Sequence, residues 1–250
     1  MKFAIVGAER QEPQPKLKGH CPGCGEEVTA KCGTQRVWHW AHKGRLTCDP
    51  WWETETRWHR AWKNRFALSW QEVPLRSNET GELHIADVRT PQGLVMEFQH
   101  SAIDPVERTS RESFYQNMLW VVDCTRLKTD VPRIDEHLPN WRSLQEGIVQ
   151  THLNPAGILP RRWLNCAVPV LFDFNGFTDS ADKDHLICLL PGRFDGSAVF
   201  FALNSATLVA VGNNKAGIFD WQEVHRKLFE RKLQELRAAT RFRLRYRRRR

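Results

Sequence analysis

The sequence predicts an α/β protein whose core runs helix, strand, strand, strand, helix, strand. A small metal-knuckle module precedes this core, and a β-rich stretch and a basic tail follow it. Three observations carry the prediction. Two cysteines and two histidines stand at ligand spacing near the N-terminus. Two short apolar runs, 84–88 and 94–99, each hold one acid and flank a Pro/Gly turn between helical patterns. Arginines crowd the last twenty residues. The chain divides accordingly into a zinc-knuckle-like module at 1–50, the core at 51–128, an accessory β-rich region at 129–218 and a basic C-terminal helix or tail at 219–250.

In the first stretch, Cys21-Pro22-Gly23-Cys24-Gly25 is followed by His39-Trp40-Ala41-His42. Two thiolates and two imidazoles make the tetrahedral donor set of a structural zinc site, so Cys21, Cys24, His39 and His42 are the expected Zn2+ ligands. Gly23 and Gly25 let the backbone turn so that both sulfurs face one point. Cys32 and Cys48 are spare thiols able to displace a histidine, and a disulfide or a metal-free knuckle are the competing readings.

Residues 53–66 show helical periodicity, with Trp58, Trp62 and Phe66 as a buried stripe and Glu55, His59 and Lys63 as a polar one beside it. Seven of the eleven tryptophans fall between 38 and 70, which fits a small core of large side chains better than a row of base-stacking platforms. A first strand at 70–75 leads to the 84–88 and 94–99 hairpin. Strand alternation puts Glu97 and Gln99 on one face and Met96 and Phe98 on the other. If Asp87 lies across from that face, two carboxylates and an amide converge as hard oxygen ligands for Mg2+ or Mn2+. The competing reading is a structural pair of acids bonded to a neighbouring Arg or Lys. A helix through Arg108, Arg111 and Tyr115 and a buried strand at 119–123 complete the core. Four prolines then break 129–162, and strand-like runs follow at 167–174, 186–190 and 198–211.

Composition narrows the function. The 250 residues are 41% hydrophobic and 26% charged, and no apolar run approaches the roughly 20 residues of a membrane helix. Residues 1–7 are too short an apolar stretch for a signal peptide, so a cytoplasmic protein with no membrane partner is expected. The net charge is +8, yet residues 231–250 hold ten Lys or Arg against Glu235 alone, which leaves the remainder slightly negative. That tail points to a polyanion, with Arg241, Arg243, Arg245, Arg247 and Arg248 as backbone contacts.

Several of these motifs stand in a familiar order. The CPxCG knuckle with its HxxH, Glu55-x-x-Trp58-His59-x-x-x-Lys63, Ala86-Asp87-Val88, Glu97-Phe98-Gln99-x-Ser101-x-Ile103 and Arg111-x-x-x-Tyr115 together resemble the competence protein CoiA-like family, over about residues 20–125. The resemblance implies a restriction-endonuclease-like αβββαβ core of the PD-(D/E)XK type and a metal-dependent deoxyribonuclease. On that reading Asp87 and Glu97 hold Mg2+ (or Mn2+), and Gln99 takes the position of the wider superfamily's lysine and positions the attacking water. Glu55 is the acid of the first helix, Lys63 or His59 steadies the phosphate oxygens, and Arg111 holds the DNA backbone. DNA is then the partner, single- or double-stranded, along with recombination or DNA-uptake proteins. The rival is an inactive nucleic-acid-binding accessory or an interaction module. His84 stands where the family pattern leads one to expect an arginine.

Overall fold

In a computed structural model of the chain, residues 1–43, 48–51, 53–126, 129–137, 149–152, 154–174, 185–193 and 196–213 are described, with six further positions between 223 and 234. The arginines of 241–250, Trp52, Asp182 and Asp184 lie outside them. The protein is mixed α/β with two sheets. No helix among the described residues is long and apolar enough to cross a membrane.

The N-terminal sheet has five short antiparallel strands: β1 (Ala4–Val6), β2 (Glu9–Gln11), β3 (Lys18–His20), β4 (Glu27–Lys31) and β5 (His39–His42), in the order β2-β1-β3-β4-β5. Its fully buried apolar residues are Ala4, Cys21, Val28 and Trp40, too few to hold five strands unaided.

Helix α1 (Arg57–Lys63) follows, then β6 (Gln71–Arg76), β7 (Leu83–Arg89), β8 (Val95–Gln99), α2 (Pro105–Tyr115) and β9 (Met118–Asp123). Beyond them come α3 (Asp130–His137), β10 (Val149–His152), β11 (Val170–Asp173), β12 (His185–Leu189), β13 (Ala198–Asn204) and α4 (Ser205–Asn213). The eight later strands form one sheet, β10-β13-β12-β11-β9-β8-β7-β6, so β11 to β13 continue the sheet that β6 to β9 begin. β9 lies parallel to both β8 and β11, and the other pairs are antiparallel.

Every residue of β9 is buried, as a strand covered on both faces requires. Met118, Trp120 and Val122 enter one core with Tyr115 of α2, while Leu119 and Val121 enter the other with Trp58 and Trp62 of α1. The tryptophan stripe is therefore core. Both indole N–H groups donate to one carboxylate oxygen of Asp173, at 2.9 and 3.1 Å. Met96 and Phe98 lie with α1, as strand alternation requires.

Two elements differ from expectation. The first helix begins at Arg57 rather than 53, because Thr56 caps it: its hydroxyl accepts from the His59 N–H, and the His59 ring reaches back to the Thr56 N–H. Glu55 thus precedes the helix rather than lying on it. The apolar run at 198–211 is strand only to Asn204, whose side chain accepts from the Thr207 N–H at 2.7 Å and starts α4.

Candidate active site and metal centre

Cys21, Cys24, His42 and Cys48 bring one ligand atom each to within 4.8 Å of one another, a Cys3His set able to hold a structural metal such as zinc. Cys21 Sγ lies 3.6 Å from Cys48 Sγ, and Cys24 Sγ lies 3.3 Å from His42 Nε2. Burial pushes both the Cys21 and Cys48 thiols up, so thiolates here require a compensating cation. His39 is not in the set. It is on β5 with His42, and residues three apart on a strand face opposite ways. Its Nδ1 instead meets the Val37 carbonyl at 2.8 Å, and Cys48 takes its place. The two knuckle glycines differ in purpose. Gly25 has φ +79°, whereas a Cβ at Gly23 would press on Leu83 and Ile85 of β7 at 3.1 and 3.3 Å. The knuckle is seated directly on the hairpin.

Beside it a cavity of about 270 Å³ is walled by both parts of the chain: His42, Cys48 and Trp51 on one side, His59, Lys63, Asp87 and Glu97 on the other. The acids meet where the sheet parts. Pairing of β7 with β8 runs only through Arg89↔Val95 and Val88↔Met96; one step on, Asp87 stands level with Glu97. There side chains replace the ladder. The Asp87 N–H donates to Glu97 Oε1 at 3.1 Å, and the Phe98 N–H donates to Asp87 Oδ2 at 3.0 Å.

Lys63 reaches this point from α1. Its buried ammonium lies 2.8 Å from Glu55, 2.9 Å from Glu72 and 3.6 Å from Asp87. These three carboxylates outweigh the cost of burial and hold it protonated. Glu72, unremarked in the sequence, also accepts main-chain N–H bonds from Lys2 and Phe3. Against the cost of its own burial, Lys63, the N-terminal ammonium and the Lys2 N–H keep it at about 2. Its backbone has φ +47°, a rare conformation for this residue type, and the β6–β7 pairing skips it.

Arg111, expected to hold a nucleic-acid backbone, is instead engaged within the protein. It is 5% exposed, and its guanidinium donates to Glu97 Oε2 at 3.0 Å, to the Trp51 carbonyl at 2.5 Å and to Glu107. Gln99 does not line the cavity. Its amide donates to the Ser101 carbonyl at 3.2 Å, and its Oε1 is buried with no protein partner among the described residues. His59 does line it, held by Glu53 at Nε2 (3.2 Å) and by Thr56 at Nδ1 (2.8 Å). His84 lies buried between Asp49 and Glu82 and stacks on Trp51, so it cannot take an arginine's place at a phosphate. Asp49, Glu53 and Glu72 were missed because no period or motif marks them. The one available signal was their closeness in sequence to Cys48 and to the strand start.

Burial and the neighbouring Asp87 push Glu97 up to about 8, despite Arg111, and burial also raises Asp87. The folded protein therefore keeps a proton on Glu97 that the unfolded chain, with an ordinary glutamate near 4.3, has lost. Between those values stability falls as pH rises, by at most about 1.4 kcal/mol per pH unit. Urea melts from pH 5 to 8 without added Mg2+ or Mn2+ are expected to show this decline and to show it diminished in Glu97→Gln. Equal slopes in the two proteins would refute the assignment.

Residues 9–50 match the family model described as competence protein CoiA, N-terminal domain. The competence protein CoiA of Bacillus subtilis (strain 168) is 27% identical over 139 residues, which are 50% of this chain and 37% of that protein. The chain thus covers little more than a third of that relative's length. No solved structure matches. The family match spans Cys21, Cys24, His42 and Cys48, all four residues of the candidate metal centre. On these two matches the chain is similar to the competence protein CoiA family, the family model's N-terminal domain matching residues 9–50.

Proposed function

We propose that the cavity is the active site of a metal-dependent deoxyribonuclease on a restriction-endonuclease-like αβββαβ core. The observation that carries this reading is the meeting of Asp87 and Glu97 where β7 and β8 part, with Lys63 3.6 Å from Asp87. Two buried carboxylates whose ionisation burial opposes are oxygen donors short of positive charge, which suits a hard divalent cation. Asp87 and Glu97 would hold Mg2+ (or Mn2+), which supplies charge neutralisation and an activated water at a phosphodiester. Arg111 orients Glu97 by a bond to its Oε2, and the Trp51 carbonyl fixes Arg111. Lys63, beside Asp87, would steady the phosphate oxygens, and His59 is the imidazole on the same wall. DNA is the proposed partner, with recombination or DNA-uptake proteins as further ones.

A second reading has its own support. Asp87 and Glu97 each satisfy a main-chain N–H and each face a basic side chain, so the pair also works as a structural fastening in a nucleic-acid-binding accessory. Cleavage of single- and double-stranded DNA with Mg2+, Mn2+ or EDTA separates the two. Metal-dependent cutting by wild type, reduced at least about 10³-fold in Asp87→Ala and Glu97→Ala while both remain folded, supports the nuclease. Wild-type cutting by either variant refutes it, and DNA binding without cutting by wild type supports the accessory.

A further inference from the structure

A second hollow, of about 560 Å³, opens on the outer side of α1, between that helix and the turn before β5. Arg36, Trp38, Arg57, Arg60 and Asn64 line it, and among the described residues no acid does. Trp38 is 44% exposed, in contrast to Trp40, Trp58 and Trp62, which are buried. Its indole is nevertheless held in place. The ring N–H donates to the Gly33 carbonyl at 3.1 Å, and the Trp38 carbonyl accepts from Arg60 Nη2 at 2.9 Å. Arg60 spends the rest of its guanidinium on Glu12 and Glu55 and is scaffold. Arg36 and Arg57 are exposed and have no ion-pair partner among the described residues. A fixed aromatic face flanked by two uncommitted guanidinium groups is the arrangement that takes a base and its phosphates.

We propose that this hollow binds single-stranded nucleic acid, an unpaired base stacking on Trp38 while Arg36 and Arg57 take the adjoining phosphates. A duplex keeps its bases stacked on one another and offers Trp38 no free face. Placement gives the site its use, and here the inference rests on the proposed nuclease. Arg57 and Arg60 line the hollow from α1, while His59 and Lys63 of the same helix line the cavity. A strand seated in the hollow lies about one helix diameter, roughly 10 Å, from the candidate active site.

The test is binding of the full chain to a labelled oligodeoxythymidine and to the matching duplex, without added divalent cation. Trp38→Ala is expected to weaken single-strand binding about 5- to 150-fold, the worth of one stacked base, and duplex binding less than about twofold. Trp38→Phe is expected to restore most of the loss. Arg36→Gln and Arg57→Gln are each expected to lower the single-strand salt slope by about 0.7. The arginines of 241–250 act alike in every variant, so their share cancels. Zinc content and circular dichroism matching wild type show that Trp38→Ala is folded. Unchanged single-strand affinity in that variant, or an equal loss on duplex, overturns the proposal. So does polyglutamate binding with the same dependence on Trp38, which would mark an acidic protein segment as the occupant. If wild type never cuts DNA but the Trp38-dependent preference holds, the nuclease fails and the binding site stands.

Discussion

Lys63→Met is expected to destabilise the protein by about 3–5 kcal/mol. The ammonium it removes lies between Glu55, Glu72 and Asp87, all within 3.6 Å, and is itself 2% exposed. Without it three carboxylates face one another with no cation between them, two of them almost wholly buried, and their pKa values rise above those of the unfolded chain. The deficit is therefore largest near neutral pH and shrinks as pH falls toward 5, where those groups take up protons. Urea melts of both proteins at pH 7.5 and 5 measure it. A deficit independent of pH would mean that the lost contribution is packing rather than charge. Lys63→Arg keeps the charge on a wider head and is expected to recover part of the stability. A lysine this committed is a clamp between carboxylates before it is anything toward a phosphate.

Cys48→Ser should cost the protein its zinc, whereas His39→Ala should leave about one zinc per chain. Elemental analysis of the purified variants reads the difference directly. Retention in Cys48→Ser with loss in His39→Ala would restore the two-cysteine, two-histidine set expected from spacing. The effect should spread well beyond the knuckle. The segment after Cys48 carries Asp49, which accepts from the Ile85 N–H and meets His84; Trp51, whose carbonyl holds Arg111; and Glu53, which meets His59 and Ser101. Loss of the metal frees the end of this segment, so tryptophan fluorescence is expected to change along with zinc content.

The sequence made much of the central region readable because its signals are local. Side chains alternate along any strand, so the opposite faces of Glu97 and Phe98 follow from position alone. The stripe of Trp58, Trp62 and Phe66 has helical spacing, and its burial followed. What stayed hidden depends on contacts made at a distance. Asp173 is 115 residues from Trp58, and no local pattern marks it as the acceptor for two indoles. Arg111 has the spacing of an ordinary helix residue, and only the approach of α2 to β8 makes it Glu97's partner. His39 shows the limit of a motif. Spacing puts two histidines three apart, but whether both face one point depends on the element, and β5 is a strand.

The bond from Trp58 and Trp62 to Asp173 also sets a schedule for the chain as it is made. β9 gains its second neighbour, β11, only when residues 170–173 have left the ribosome, and α1 gains its polar anchor at the same moment. A nascent chain that ends before Asp173 has both tryptophans but not their acceptor, and one side of β9 has no partner strand. Asp87, Glu97 and Lys63 are all synthesised well before this point, yet the sheet and helix that present them are finished after it. On this ordering the candidate active site matures late, when about two thirds of the protein has emerged.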